Sequence, residues 1–280
     1  MMLMKTRSLF VAVLFFSMFF SLNAQLEEKK SQVPEDNWDK SLTLYIFMPN
    51  MELTPTLDGT TPSEPIYIDF PDFVDNADEL RAFSGKYEMW KKWGFLFKID
   101  YVKVENKLGS GPVTADIKDL EQLLIDVAVG YTLGEFPLNG LDQYPYLRLI
   151  TWAGLQYNYL DQEVDVTITP DLPGPGDPGS EKLSLGGDDS WFEPFVGLGA
   201  HLVFTENVEL ALRGQAGGFG LDDATDENWW IIAVMNYSFT DQWSASFGYK
   251  YWKFDYMDDD ETIGLDAIFQ GPLLGVTYHF

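Results

Sequence analysis

From residue 41 onward the chain alternates apolar and polar side chains with a period of two, the periodicity of strands whose two faces meet different surroundings. In 243–256, Trp243, Ala245, Phe247, Tyr249 and Tyr251 share one parity, and Ser244, Ser246, Gly248 and Lys250 share the other. In 229–240, Trp229, Ile231, Ala233, Met235, Tyr237 and Phe239 oppose a mixed parity containing Asn236, Ser238 and Thr240. Val208, Leu210 and Leu212 likewise oppose Glu209, Arg213 and Gln215. Segments 82–90 and 94–104 place Phe83, Tyr87, Met89, Phe95, Phe97, Ile99 and Tyr101 against Lys86, Glu88, Lys98 and Asp100. Ten such segments are predicted: 41–48, 82–90, 94–104, 120–133, 147–161, 194–204, 208–219, 229–240, 243–256 and 269–280. Most reach the ~9–11 residues that a tilted membrane strand requires.

Alternation alone is shared with half-buried sheets of soluble proteins. Two features separate the cases. A Lys or Arg facing lipid at mid-membrane costs ~2–4 kcal/mol, so in spanning strands the charged parity must face a lumen. Lys86, Glu88, Lys98, Asp100, Asp126, Glu209, Arg213 and Lys250 are therefore expected to form an interior charge network, paired because an isolated charge in a narrow interior is costly. Trp252 is expected to help fill that interior. The apolar parity also carries aromatic residues near strand ends, among them Trp229, Phe239, Trp243, Tyr278 and Phe280, as interfacial girdles do. Lys253, Asp255, Asp119 and Glu121 break the apolar parity, and are expected to project above the membrane.

The connections divide into two sets. Every second one is short or moderate: 91–93, 134–146, 205–207 and 241–242. Those between are longer: 49–81, 105–119, 162–193, 220–228 and 257–268. Short periplasmic turns with long external loops are the expected asymmetry of a transmembrane barrel, and an even strand count returns the chain to its starting side. The fold class is all-β: a transmembrane antiparallel up-and-down β-barrel of about ten strands, within a range of eight to twelve.

At the amino terminus Lys5 and Arg7 precede an apolar run, 9–22, and Leu22-Asn23-Ala24 forms a small-residue cleavage pattern. The organisation predicted is a signal peptide, 1–24, a polar periplasmic tail, 25–40, and a barrel, 41–280. Removing Lys5 and Arg7 and no acid takes the net charge from −26 to −28, which argues against nucleic-acid partners. There is no cysteine, hence no disulfide, thiolate metal site or lipidated cysteine.

The terminal segment Leu274, Val276, Tyr278, Phe280 against Leu273, Gly275, Thr277, His279 resembles the last strand of Gram-negative outer-membrane β-barrels. With the leader, the dyad alternation and the loop asymmetry, the mature chain resembles the superfamily of small porin-like and structural barrels. That resemblance implies an outer-membrane location, a lipid bilayer and lipopolysaccharide as surroundings, and barrel-assembly machinery that reads Tyr278 and Phe280 as an assembly signal. It implies a narrow porin-like channel or an envelope-structural barrel; an outer-membrane enzyme and a soluble secreted β-protein are the alternatives.

Candidate chemistry is sparse. Residues 174–179 fit GxGxxG, but Pro175 and Pro178 cannot offer N–H groups to a phosphate, so the segment is expected to be an external loop. Acidic runs at 188–189, 222–223, 226–227 and 258–261 fall in expected external loops, where hard oxygen ligands could loosely bind divalent cations such as Ca²⁺ or Mg²⁺. Residues 69–80 are expected to form a packed loop or a short capping helix. Known barrel enzymes place a His near the outer rim, whereas His201 and His279 fall toward the periplasmic ends, so no catalytic residue and no cofactor is predicted.

Overall fold

Adjacent strands run antiparallel throughout the computed structural model, which describes residues 38–57, 65–71, 77–108, 113–140, 144–168, 181–220, 225–257 and 263–280. The strands are β1 (Asp39–Phe47), β2 (Asn50–Leu57), β3 (Ile66–Ile68), β4 (Ala77–Trp90), β5 (Trp93–Leu108) and β6 (Val113–Pro137). They continue with β7 (Tyr146–Ile168), β8 (Glu181–Thr205), β9 (Val208–Gly217), β10 (Glu227–Ser238), β11 (Trp243–Met257) and β12 (Ile263–His279). β12 pairs with β1 from Ser41↔His279 to Phe47↔Leu273, which closes the sheet on itself. β2 then continues up the same edge of β12, from Asn50↔Gln270 to Leu57↔Ile263. β1 and β2 are thus one wall strand, interrupted where Pro49 has no N–H to donate. With that strand counted once and β3 set aside as a spur on β2, the wall has ten positions.

Closure fixes the tilt. The cross-strand row that starts at Ser41 runs through Glu88, Leu96, Ala128, Gly154, Phe195, Gly217, Asn228, Phe254 and Ala267 and returns at Leu53, twelve residues above its start (53 − 41). A stagger of that size accompanies the ~35–45° tilt of closed barrels. Trp229 and Phe239 bound the outward apolar face of β10 and its turn, ten residues apart (239 − 229). At ~3.3 Å per residue and a tilt near 40°, that face is about 25 Å tall, the height of a hydrocarbon-spanning band.

Inside and outside are inverted relative to a soluble domain. Leu44, Ile46, Val129, Leu155, Phe192, Leu212, Met235, Phe247, Tyr249 and Val276 are exposed on the outer surface, while Glu88, Lys98, Asp126, Gln156, Asn158 and Glu193 are buried within. An apolar skin of this extent around a polar interior is stable against lipid and not against water. The interior also buries bulky rings. Trp90 packs against Gly94 and Gly130 and Trp152 against Gly197; a Cβ at any of these glycines would come within 2.0–2.2 Å of a ring carbon.

The ten predicted segments coincide with β1 and β4–β12. Their outer ends run further than the alternation predicts: β6 begins at Val113, β7 continues to Ile168, β8 begins at Glu181 and β12 at Ile263. Above the apolar band both faces meet water, so the side-chain alternation fades while the hydrogen-bonded ladder continues. Asp188, Asp189 and Glu227 consequently belong to strands and not to loops. Connection 49–81 contains β2, β3 and the start of β4, and Ala77–Leu80 of the supposed capping segment is strand paired with β5. The signal peptide, most of the tail, residues 72–76, the glycine-proline motif 174–179 and the acidic residues 222–223 and 258–261 lie outside the described residues.

Candidate functional site

The strand register decides which side chains meet in the lumen. Inward positions alternate along each strand, and antiparallel pairing brings inward residues of neighbours side by side. All eight residues named for the interior charge network face inward, and they assemble into two groups. In the first, Glu88 of β4 accepts from Lys86 Nζ at 2.6 Å and from Arg213 Nη1 of β9 at 2.7 Å. Arg213 Nε lies 3.1 Å from His201 Nε2, and His201 Nδ1 lies 2.9 Å from Glu209 Oε1. Asn236 donates to Glu209 at 3.1 Å and accepts from Ser246 at 2.7 Å. β4 and β9 are the second and seventh of ten wall positions, five strands apart, so the Glu88–Arg213 bridge joins opposite walls.

The second group sits higher on β5 and β6. Lys98 reaches Asp126 at 2.8 Å and Asp100 at 3.3 Å, and Tyr45 donates to Asp100 at 2.5 Å. Gln156 donates to Asp126 at 2.5 Å and accepts at 3.0 Å from Asn228, which also donates to Glu193. Lys250 has no ion pair among the described residues; its ammonium stands over the rings of Trp252, Phe47 and Trp230 at 4.8, 5.0 and 5.9 Å. Lys98 and Lys250 nevertheless balance Asp100 and Asp126 in formal charge.

Glu193 is only 1% exposed, and the pattern reading did not select it. It accepts from Thr225, Asn228 and Trp191, three neutral donors that satisfy both carboxylate oxygens. Above it the lumen is filled by rings: Trp191 stacks on Tyr256 at 5.5 Å, and Trp252 on Phe269 at 4.8 Å. Trp252 is buried inside this layer.

Below these layers a chamber of about 1150 Å³ reaches the turn end, where Tyr144, Glu206 and Asn207 line its mouth, and extends up to Trp230, Lys250 and Asp126. One wall, built from β10, β11, β12 and β1, presents small hydroxyl side chains. Ser238 lies 2.9 Å from Ser244, Thr43 lies 2.9 Å from Thr277, and Ser244 Oγ lies 2.9 Å from His279 Nε2. Both histidines stand at this end, as the chain pattern places them, but their partners depend on register and could not be read from spacing. Tyr278 and Phe280 face outward at the closing seam, with ring centroids 5.0 Å apart. Among the described residues, no group of three or more His, Cys, Asp or Glu is arranged to hold a metal ion.

No family model matches the chain, and no curated protein matches it. Solved structures similar in fold include the outer membrane protease OmpT from Escherichia coli, at 10% identity over 91% of this chain and 100% of that one, with a TM-score of 0.45. The translocator domain of the autotransporter NalP from Neisseria meningitidis is 11% identical over 98% of this chain and 97% of that one, with a TM-score of 0.40. A Pseudomonas aeruginosa FadL homologue is 10% identical over 88% and 90%, with a TM-score of 0.32. None of these likenesses carries an activity over to this chain.

Proposed function

We propose that the protein is an integral outer-membrane barrel of a Gram-negative envelope whose lumen is closed at rest, a structural barrel in preference to an open pore. The observation that carries this reading is the ring layer over the chamber, where Trp191 stacks on Tyr256 at 5.5 Å and Trp252 on Phe269 at 4.8 Å, while the Glu88–Arg213 bridge at 2.7 Å crosses the chamber between opposite walls beneath it. A solute entering from the turn end meets that bridge, then the Lys98–Asp126 group, then the ring-filled outer layer. Outer-membrane residence is supported by the apolar band, the long outer strand extensions and the short turns at the opposite end. In that setting the turn end faces the periplasm, the charged outer rim meets lipopolysaccharide, and β12 is the element offered to the assembly machinery.

A narrow channel is the second reading, favoured by the chamber. Planar-bilayer recording of the refolded protein separates the two. The closed reading expects no stable unitary current; a steady open-channel current from the unmodified protein overturns it.

A further inference from the structure

We propose that Ser244, His279 and Asp39, brought together at the mouth of the chamber, form a nucleophile–base–orienter site that hydrolyses small carboxylic esters. Ser244 projects inward from β11, His279 from β12, and Asp39 opens β1, so three adjacent wall positions supply the three side chains. Ser244 Oγ is 2.9 Å from His279 Nε2, and His279 Nδ1 is 4.0 Å from Asp39 Oδ1. The serine meets one ring nitrogen and the carboxylate stands by the other, which is the order needed for a base to take the hydroxyl proton while its far side is held by a negative charge. The carboxylate contact is longer than a hydrogen bond and acts on the ring through charge, and contacts between catalytic groups are often long in the absence of substrate. All three residues line the chamber, so an ester entering from the turn end reaches them before the charge network.

Hydroxyl donors flank the nucleophile on both sides. Ser238 Oγ lies 2.9 Å from Ser244 Oγ, and Thr277 is directly opposite Ser244 across the β11–β12 ladder. Of these, Ser238 is the hydroxyl beside the nucleophile that can turn to donate to the oxygen that gains charge when the carbonyl is attacked, whereas Thr277 Oγ1 is engaged with Thr43 Oγ1 at 2.9 Å. In the reaction Ser244 Oγ bonds to the ester carbonyl carbon while His279 Nε2 takes its proton. The carbon–alkoxide bond breaks, and the departing alkoxide receives that proton as the alcohol. Water, deprotonated by the same nitrogen, then attacks the acyl-serine and releases the carboxylic acid, restoring Ser244. No oxidant, metal or cofactor enters the balance.

The inference goes beyond the closed-barrel reading and uses only the chamber mouth, so it is tested on detergent-folded full-length protein without reference to conductance. The probes are a fluorophosphonate, with intact and peptide mass analysis, and p-nitrophenyl butyrate. Folding of each variant is checked by the shift between unboiled and boiled samples on SDS gels. The expected result is one adduct per folded chain, on Ser244, absent from S244A. Ester turnover should fall by ~10²-fold or more in S244A. Asp39 is a positioning residue, so D39N should lower kcat and the labelling rate with KM little changed. Because His279 lies in the closing strand, H279Q is interpreted only if it folds; S244A and D39N carry the test without it. Absence of a Ser244 adduct on folded protein, or equal turnover by S244A and the unmodified chain, overturns the proposal.

Discussion

Phe247 and Ser246 are neighbours in β11 that meet opposite media: the ring is 62% exposed on the outer wall, whereas the serine is 9% exposed and bonded to Asn236 in the lumen. A lysine at position 247 must leave its ammonium in hydrocarbon or bend to an interface, at a cost of ~2–4 kcal/mol near mid-membrane. A lysine at 246 enters a chamber that already holds charges of both signs. The folding yield of Phe247→Lys into bilayers should therefore fall well below that of Ser246→Lys, as read by the gel shift of unboiled samples. The reverse order would mean that the strand faces have been exchanged. A second single-residue expectation concerns Gly197, whose missing side chain is the floor under the Trp152 ring. Gly197→Val would force Trp152 off its stack with Trp230, and overpacking of this kind costs ~1–3 kcal/mol. Urea-dependent unfolding in lipid, followed by tryptophan fluorescence, measures it.

At the scale of elements, the outer ends of β10, β11 and β12 bring Glu227, Asp255 and Asp266 into one row, with Lys253 reaching Glu227 at 3.3 Å and Asp266 at 3.9 Å. These side chains stand above the apolar band. Partial burial and the neighbouring Asp266 push the Asp255 carboxyl up to about 6, above its value of ~3.9 in an unfolded chain. Since the folded group holds its proton more tightly, this ladder is most stable below the unfolded value, loses stability as pH rises through about 6, and changes little above it. Amide exchange at the outer end of β11, corrected for intrinsic rates, should slow on going from neutral pH to about pH 5. Asp255→Asn should remove that dependence and remain protected at both pH values; an unchanged dependence would place its origin elsewhere. The same row explains what was legible in the chain. Within the band, lipid and lumen impose unlike demands on the two faces, so parity gave every wall strand. Above it, Asp255, Asp266 and Glu227 sit on a face that is apolar lower down, so the alternation predicts loops at Glu227 and Asp266, while Asp255 falls inside segment 243–256 and projects above the band as expected. Glu193 and the Ser244–His279–Asp39 grouping were hidden for another reason: their meaning lies in cross-strand register, which no local pattern encodes.

For the whole molecule, closure depends on the seam between the first wall strand and β12. Seven residue pairs join β1 to β12, from Ser41↔His279 to Phe47↔Leu273, and Phe280 extends the seam by donating its N–H to Lys40 O at 3.0 Å. Its ring meets Tyr278 edge-on at 5.0 Å and Tyr87 of β4 at 6.4 Å, so one side chain contacts both sides of the join. An open sheet in a bilayer would leave two rows of backbone groups without partners, each costing several kcal/mol in hydrocarbon. Completion of this join is therefore the step that commits the chain to its barrel. Removing Phe280 takes away the last hydrogen bond and the ring clasp together, at the place where closure must be completed. Removing residues 25–32 touches no residue of the seam. The Phe280 deletion should accordingly reduce the amount of heat-modifiable barrel recovered in the outer-membrane fraction, while the 25–32 deletion leaves it close to that of the unmodified chain. Equal recovery of the two variants would show that closure proceeds without the terminal ring, and would shift the decisive contacts to the paired residues 41–47.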